Sequence, residues 1–190
     1  MHQVDRSVGR IRDILAADGA LDDTIVVFTS DHGDFLGDHG CIYKSIGAHH
    51  CLLHTPLVIR APGAGLPARC DTAVSSVDVM PTVLAAAGIP APEWLHGRDL
   101  MRPGKAQDGA LAFTFNGDPR YTGWTIYDDR YRLSFYPNAD WAELYDHGDD
   151  PEECRNRAAE RPKAARDLRA ALCARLPAIT NPASGRMCSW

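Results

Sequence analysis

Apolar residues recur at the start of the chain with the spacing of one helical face: Val4, Val8, Ile11 and Leu15, with Gly19 placed to end the helix. After the acidic turn Asp22-Asp23, the run TIVVFTS (24–30) is apolar on both faces and predicts a buried strand of the parallel kind. Residues 31–50 are rich in Gly, Asp and His and predict a loop. TPLVIRAPG (55–63) predicts a second buried strand, stopped by Pro62-Gly63. Residues 75–88 predict a short helix with Ser76 or Asp78 as N-cap, Pro81 in the first turn and Gly88 as terminator. Helix, strand, loop, strand, helix is an α/β pattern, in which sites form beyond the carboxyl ends of strands.

The texture then changes. A polar connection containing Gly and Pro (96–109) leads to three strand-like runs, 110–115, 121–127 and 130–136, joined by short turns and predicted to pair antiparallel. Asp128-Asp129 falls between two of them and reads as a hairpin turn rather than a metal-binding pair. A closing helix is expected over 162–176, with Leu168, Leu172 and Leu176 one turn apart. The chain therefore divides into an α/β part, residues 1–104, and a small antiparallel sheet with a C-terminal helix, residues 105–190.

Composition narrows the partners. With 45% apolar and 24% charged residues in 190, the chain is globular. A formal charge of −5 and the lack of a basic stripe exclude nucleic acid. The apolar runs are too short to span a bilayer, so no membrane is expected. The first residues lack the apolar core of a signal peptide, which makes the cytoplasm the default compartment. The six cysteines, at 41, 51, 70, 154, 173 and 188, form no C-x-x-C pair and read as reduced small hydrophobes. A Cys41–Cys51 disulfide is the pairing that spacing leaves open.

Chemistry gathers in SDHGDFLGDHGCIYKS (30–45). Asp31 and His32 follow a strand, and carboxylate and imidazole both suit a divalent cation. Gly33 lets the backbone pass close by. Lys44, one of three lysines in an arginine-rich chain, lies beyond the same loop and suits an anionic oxygen or the charge on a leaving group. His39 is a substrate contact, a support for the ligands or a loop hydrogen-bonder. Of His49 and His50 at most one faces a site, since neighbours point apart, and His54 is a further candidate.

These residues, with TPLVIRAPG following, resemble the sulfatase family of the alkaline-phosphatase-like superfamily. SSVDVMPTVLAAAG with the trailing GRDL is similar to the family's D-x-x-P-T-x-L-x-x-x-G helix, and AELYDHGDDPEECRN to its closing E-L-Y-D…D-P-x-E…N signature. The resemblance implies a partial alkaline-phosphatase-like sheet with helices, and a metal-dependent hydrolase of sulfate esters with a small sulfated substrate. It places Asp31 and His32 on metal ligands, calcium in most sulfatases and manganese in some phosphonate- and phosphodiester-cleaving relatives. It places Lys44 on the lysine that meets sulfate or phosphate oxygens; His39 and His49 stay candidate substrate contacts by residue type alone.

The departures are as specific. No cysteine or serine fits C/S-x-P/A-x-R, the source of the formylglycine nucleophile, and Asp22-Asp23 stands before its strand rather than after it. His54 occupies the place of an arginine two residues before Pro56. The expectation is a carboxyl-terminal portion that does not turn over alone, completed by an amino-terminal segment or partner subunit carrying the formylglycine. A phosphodiester or phosphonate monoester hydrolase and a non-catalytic subunit or remnant are the alternatives.

Overall fold

The computed structural model describes residues 2–44, 47–102, 109–115, 118–139 and 141–179. The chain forms two compact units, one of Met1–Asp31 with Thr55–Arg69, the other of His32–His54 with Cys70 onward. The expected boundary at residue 104 and Cys188 lie outside the described residues.

In the first unit, α1 (His2–Ala17) forms where the apolar stripe predicts it, yet none of its residues is buried, and Val4, Ile11 and Ile14 are exposed. Strand β1 (Val26–Thr29) pairs with β2 (Leu57–Arg60) in a two-stranded sheet. The pairing is antiparallel, Val26 opposite Arg60 and Thr29 opposite Leu57, which corrects the parallel expectation. An apolar run reports that both faces avoid water and says nothing of strand direction, and here the strands are partly buried rather than buried. Arg60 ties the pair to the preceding turn, its Nη2 on the Asp22 carboxylate at 2.7 Å and its Nη1 on the Leu21 carbonyl at 2.5 Å.

The second unit holds the short helix α2 (His50–Leu53), α3 (Val79–Ala86), and a meander of β3 (Ala110–Thr114), β4 (Gly123–Tyr127), β5 (Tyr131–Tyr136) and β6 (Trp141–Asp146), closed by α4 (Pro162–Ile179). All three pairings are antiparallel, in the order β3-β4-β5-β6. Strand alternation gives the sheet two unlike faces. One carries Ile126, Leu133 and Leu144 against Leu168 and Leu172 of α4, the apolar core. The other carries Thr125, Arg132 and Ser134, all polar and all at most 1% exposed. A buried polar face survives only where its groups are mutually bonded, and Thr125 bonds Ser134 at 2.8 Å while Arg132 Nη1 donates to Ser134 at 2.7 Å.

The turn reading of Asp128 holds: its carboxylate accepts the amides of Arg130 and Tyr131 between β4 and β5. Strand β6 and helix α2 are additions to the expected elements, and Tyr121 belongs to a 3-10 turn (Pro119–Tyr121) rather than to β4. Asp78 stands at the N-cap of α3, as expected, although its side chain makes no cap bond there; it forms a capping box with Ser75, the N-cap of the preceding 3-10 turn (Ser76–Asp78). Asp78 is 3% exposed, and its carboxylate accepts the amides of Ser75 and Arg98, each at 2.9 Å. Thr82 accepts the Leu100 amide at 2.9 Å, so the D-x-x-P-T helix grips the GRDL segment through backbone groups. Gly97 allows that grip, because a Cβ there would overlap the Val77 carbonyl.

Gly97→Ala should therefore destabilise the chain by about 3 kcal/mol, the upper end for overpacking a tight contact. Urea unfolding midpoints of the two proteins would measure it, and an unchanged midpoint would refute the account of this contact.

Candidate functional site

The segment after β1 turns sharply. Leu36 and His39 both hold left-handed backbone, φ 49° and 53°, with Gly37 and Gly40 beside them. Such conformations in residues with a Cβ cost free energy and persist only where the surroundings fix them. The 3-10 turn Asp38–Gly40 results, with His39 at its tip.

Asp31 and His32, adjacent in sequence, belong to different units and are described separately. Asp31 is exposed, and Ser30 Oγ donates to its carboxylate at 3.3 Å. His32 is held at both ring nitrogens. Its Nδ1 lies 2.6 Å from the Gly33 carbonyl and its Nε2 lies 3.0 Å from Lys44 Nζ. The ammonium has no lone pair, so Nε2 is the acceptor and Nδ1–H donates to the carbonyl. That tautomer leaves Nε2 as the basic atom. Gly33 itself is clamped to α2, its amide donating to the Leu52 carbonyl at 2.7 Å, and a Cβ on it would overlap the Cys51 carbonyl.

The histidines sort into two groups. His39 and His49 lie with ring centroids 4.4 Å apart, and buried Phe35 meets both edge-on. His50 stacks on His54 at 4.3 Å and meets His147 at 5.1 Å, with Tyr127 beyond. Burial, the charge of Arg132 and the neighbouring His39 lower the His49 pKa to about 4. Burial, with His54 and His147 nearby, lowers that of His50. Both are therefore neutral imidazoles at neutral pH.

A buried carboxylate lies behind these rings. Glu153, 2% exposed, accepts Arg132 Nε at 2.7 Å, His147 Nε2 at 2.8 Å and the backbone amide of His50 at 2.8 Å. Burial alone would raise its pKa, but the His147 bond and the Arg132 charge outweigh this and hold it at about 2. Glu153, Arg132 and His147 escape notice in the sequence as site residues. The signals are the glutamate of the D-P-x-E signature and an arginine in β5 on the same alternation as Ser134.

Lys44 and His32 are thus brought together, as are His39 and His49. His54 stacks with His50 instead of joining the His39–His49 pair. Among the described residues no group of three or more His, Cys, Asp or Glu is gathered to hold a metal. Cys41 and Cys51 are both free thiols, as are Cys70, Cys154 and Cys173.

Residues 1–89 match the Sulfatase family model. The chain is similar to the uncharacterized sulfatase YidJ of Escherichia coli (strain K12), 31% identical over 161 residues, covering 80% of this chain and 31% of that one. It is also similar to the N-acetylglucosamine-6-O-sulfatase of Bacteroides thetaiotaomicron, 34% identical over 168 residues, covering 80% and 30% respectively. The phosphonate monoester hydrolase of Agrobacterium radiobacter superposes with a TM-score of 0.82 at 27% identity, over 91% of this chain and 39% of that one. The chain spans about a third of the length of the curated relatives it matches. The mixed α/β architecture with antiparallel sheets and a C-terminal helix agrees with these neighbours.

A neutral, half-buried imidazole links stability to pH. The unfolded chain takes up a proton at His49 near pH 6.5, the folded chain only near pH 4. Stability should therefore be level above pH 6.5 and fall by about 2 kcal/mol between pH 6.5 and 4. Urea unfolding across that range would show the slope, and His49→Gln, which cannot protonate, should lessen it and leave the share of His50, whose pKa is also lowered.

Proposed function

From the premise that the chain belongs to the sulfatase family, we propose that it supplies part of the active site of a metal-dependent hydrolase of sulfate esters. The observation that carries this reading is His32, bound through Nδ1 to a backbone carbonyl and facing Lys44 with Nε2. A metal-ligating histidine is characteristically oriented by a hydrogen bond from its other nitrogen. The donor set fits a divalent cation, calcium or manganese: Asp31 would contribute a carboxylate and His32 its Nε2, with Lys44 displaced from that nitrogen. When bound, the cation would polarise the ester and offset charge on its oxygens.

Lys44 has a different task. An ammonium released from His32 meets the anionic ester oxygens and stabilises the charge that grows on them during substitution at sulfur. His39 and the neutral His49 serve as hydrogen-bonding contacts to the remainder of a small sulfated substrate. The nucleophile is supplied from outside these 190 residues, since none of them stands in a formylglycine motif. The exposed apolar stripe of α1 supports a completing segment or partner subunit that covers it.

A second reading, hydrolysis of phosphonate monoesters or phosphodiesters, is favoured by the likeness to the Agrobacterium enzyme. Both anions present oxygens that a lysine and a divalent cation can hold, so these residues serve either.

The chain alone should leave 4-nitrophenyl sulfate uncleaved and bind calcium or manganese no more tightly than about millimolar, the weak end for protein sites. Vigorous turnover by the isolated chain would sink the reading. Completed with the rest of the fold, the enzyme should lose about 100-fold in kcat/KM on Lys44→Ala. A panel of aryl sulfate, phosphonate and phosphodiester then separates the two substrate classes.

A further inference from the structure

We propose that Glu153 is a positioning residue: from 103 positions downstream its carboxylate fixes the loop of residues 47–54, and so sets His49 beside His39. This deepens the functional reading above and rests on it for the role of His49.

Helix α2 has no side-chain cap of its own, since its N-cap residue is His49. The Glu153 carboxylate replaces that cap by accepting the His50 amide at 2.8 Å. An unpaired amide at a partly buried helix start is costly, so the bond fixes where α2 begins. His49, the residue just before, inherits that position. Glu153 is itself immobile. Its other oxygen is shared by Arg132 and His147, and its backbone is left-handed at φ 55°. Arg132 cannot shift either, being wholly buried with its guanidinium 4.5 Å from the Tyr145 ring centre and bonded to Ser134. A second tether, from Tyr127 OH to the Ala48 carbonyl at 2.9 Å, enters the same loop one residue before His49.

The groups facing His49 are His39, Phe35, Tyr145 and the charges of Arg132 and Glu153. Arg132 opposes protonation of His49 and Glu153 favours it. A loop that comes loose admits water and releases His49 from both burial and Arg132. A loop that stays in place while Glu153 loses its charge leaves His49 at least as hard to protonate. The two cases have opposite signs, which separates positioning from electrostatics.

The experiment is imidazole NMR titration of the full 190-residue chain, with hydrogen exchange at the His50 amide. In Glu153→Ala with a cooperative melt, His49 should titrate at least one pH unit higher than in the parent chain, and the His50 amide should exchange at least tenfold faster. Glu153→Gln keeps an acceptor oxygen in place and should restore protection of that amide, with His49 titrating no higher than in the parent. If Glu153→Ala does not fold, Glu153→Asp, which withdraws the carboxylate by about 1.5 Å, should show the faster exchange. An unmoved His49 in folded Glu153→Ala, or a Glu153→Gln chain that matches Glu153→Ala, would overturn the proposal. None of these readings needs turnover. A completed enzyme inactive on every ester of the panel would remove the functional reading and leave the positioning result intact.

Discussion

The second unit is organised around one buried ion pair. Arg132 and Glu153 are both withdrawn from water, and each would be expensive to bury alone. Their attraction is supported by further groups, Ser134 and Glu143 on Nη1 of the guanidinium and His147 and the His50 amide on the carboxylate, while Nη2 of Arg132 is buried without a hydrogen-bond partner among the described residues. Breaking such a pair costs about 3–5 kcal/mol, whereas replacing it by well-packed apolar residues is often neutral. Its worth therefore lies in specification. An apolar face would accept the loop in many registers. A face with one carboxylate and a few fixed donors accepts it in one.

From that pair a continuous set of short contacts leads outward. Glu153 fixes the start of α2, the Leu52 carbonyl in α2 receives the Gly33 amide, and the Gly33 carbonyl receives His32 Nδ1. His32 in turn presents Nε2 to Lys44. Each link is a hydrogen bond of ordinary length, and no side chain spans the distance by itself. The glycine is essential to this path, since any Cβ at position 33 would collide with the Cys51 carbonyl. His32-Gly33 and the D-P-x-E signature, far apart in sequence, thus belong to one unit.

Much of this was legible in the sequence, for definable reasons. Helix α1, strands β3 to β5 and the closing helix follow from periodicity, and the Asp128 turn from its position between strands. Pairing direction in β1–β2 was not legible, because an apolar run carries no information on its partner's orientation. Strand β6 was hidden because its residues Trp141, Glu143 and Tyr145 look like a surface motif, although Leu144 and Asp146 beneath them are wholly buried. The candidate residues Asp31, His32 and Lys44 stand out by chemical type near a strand end. Glu153 does not, since two of its three partners lie 21 and 103 positions away and a carboxylate in an acidic loop looks solvated.

The polar groups of this chain fall into two classes that burial separates. Glu153, Arg132 and Asp78 are enclosed with partners they cannot exchange, and they hold backbone or one another. Lys44 is exposed, and its bond to His32 is a contact that water or an anion can replace at a cost of about 1 kcal/mol or less. Reactive groups must be able to change partners during a reaction, and groups that hold a frame must not. On that criterion the exposed Lys44 and the lone pair of His32 can change partners, while the stronger charges behind them keep the frame in which those two meet.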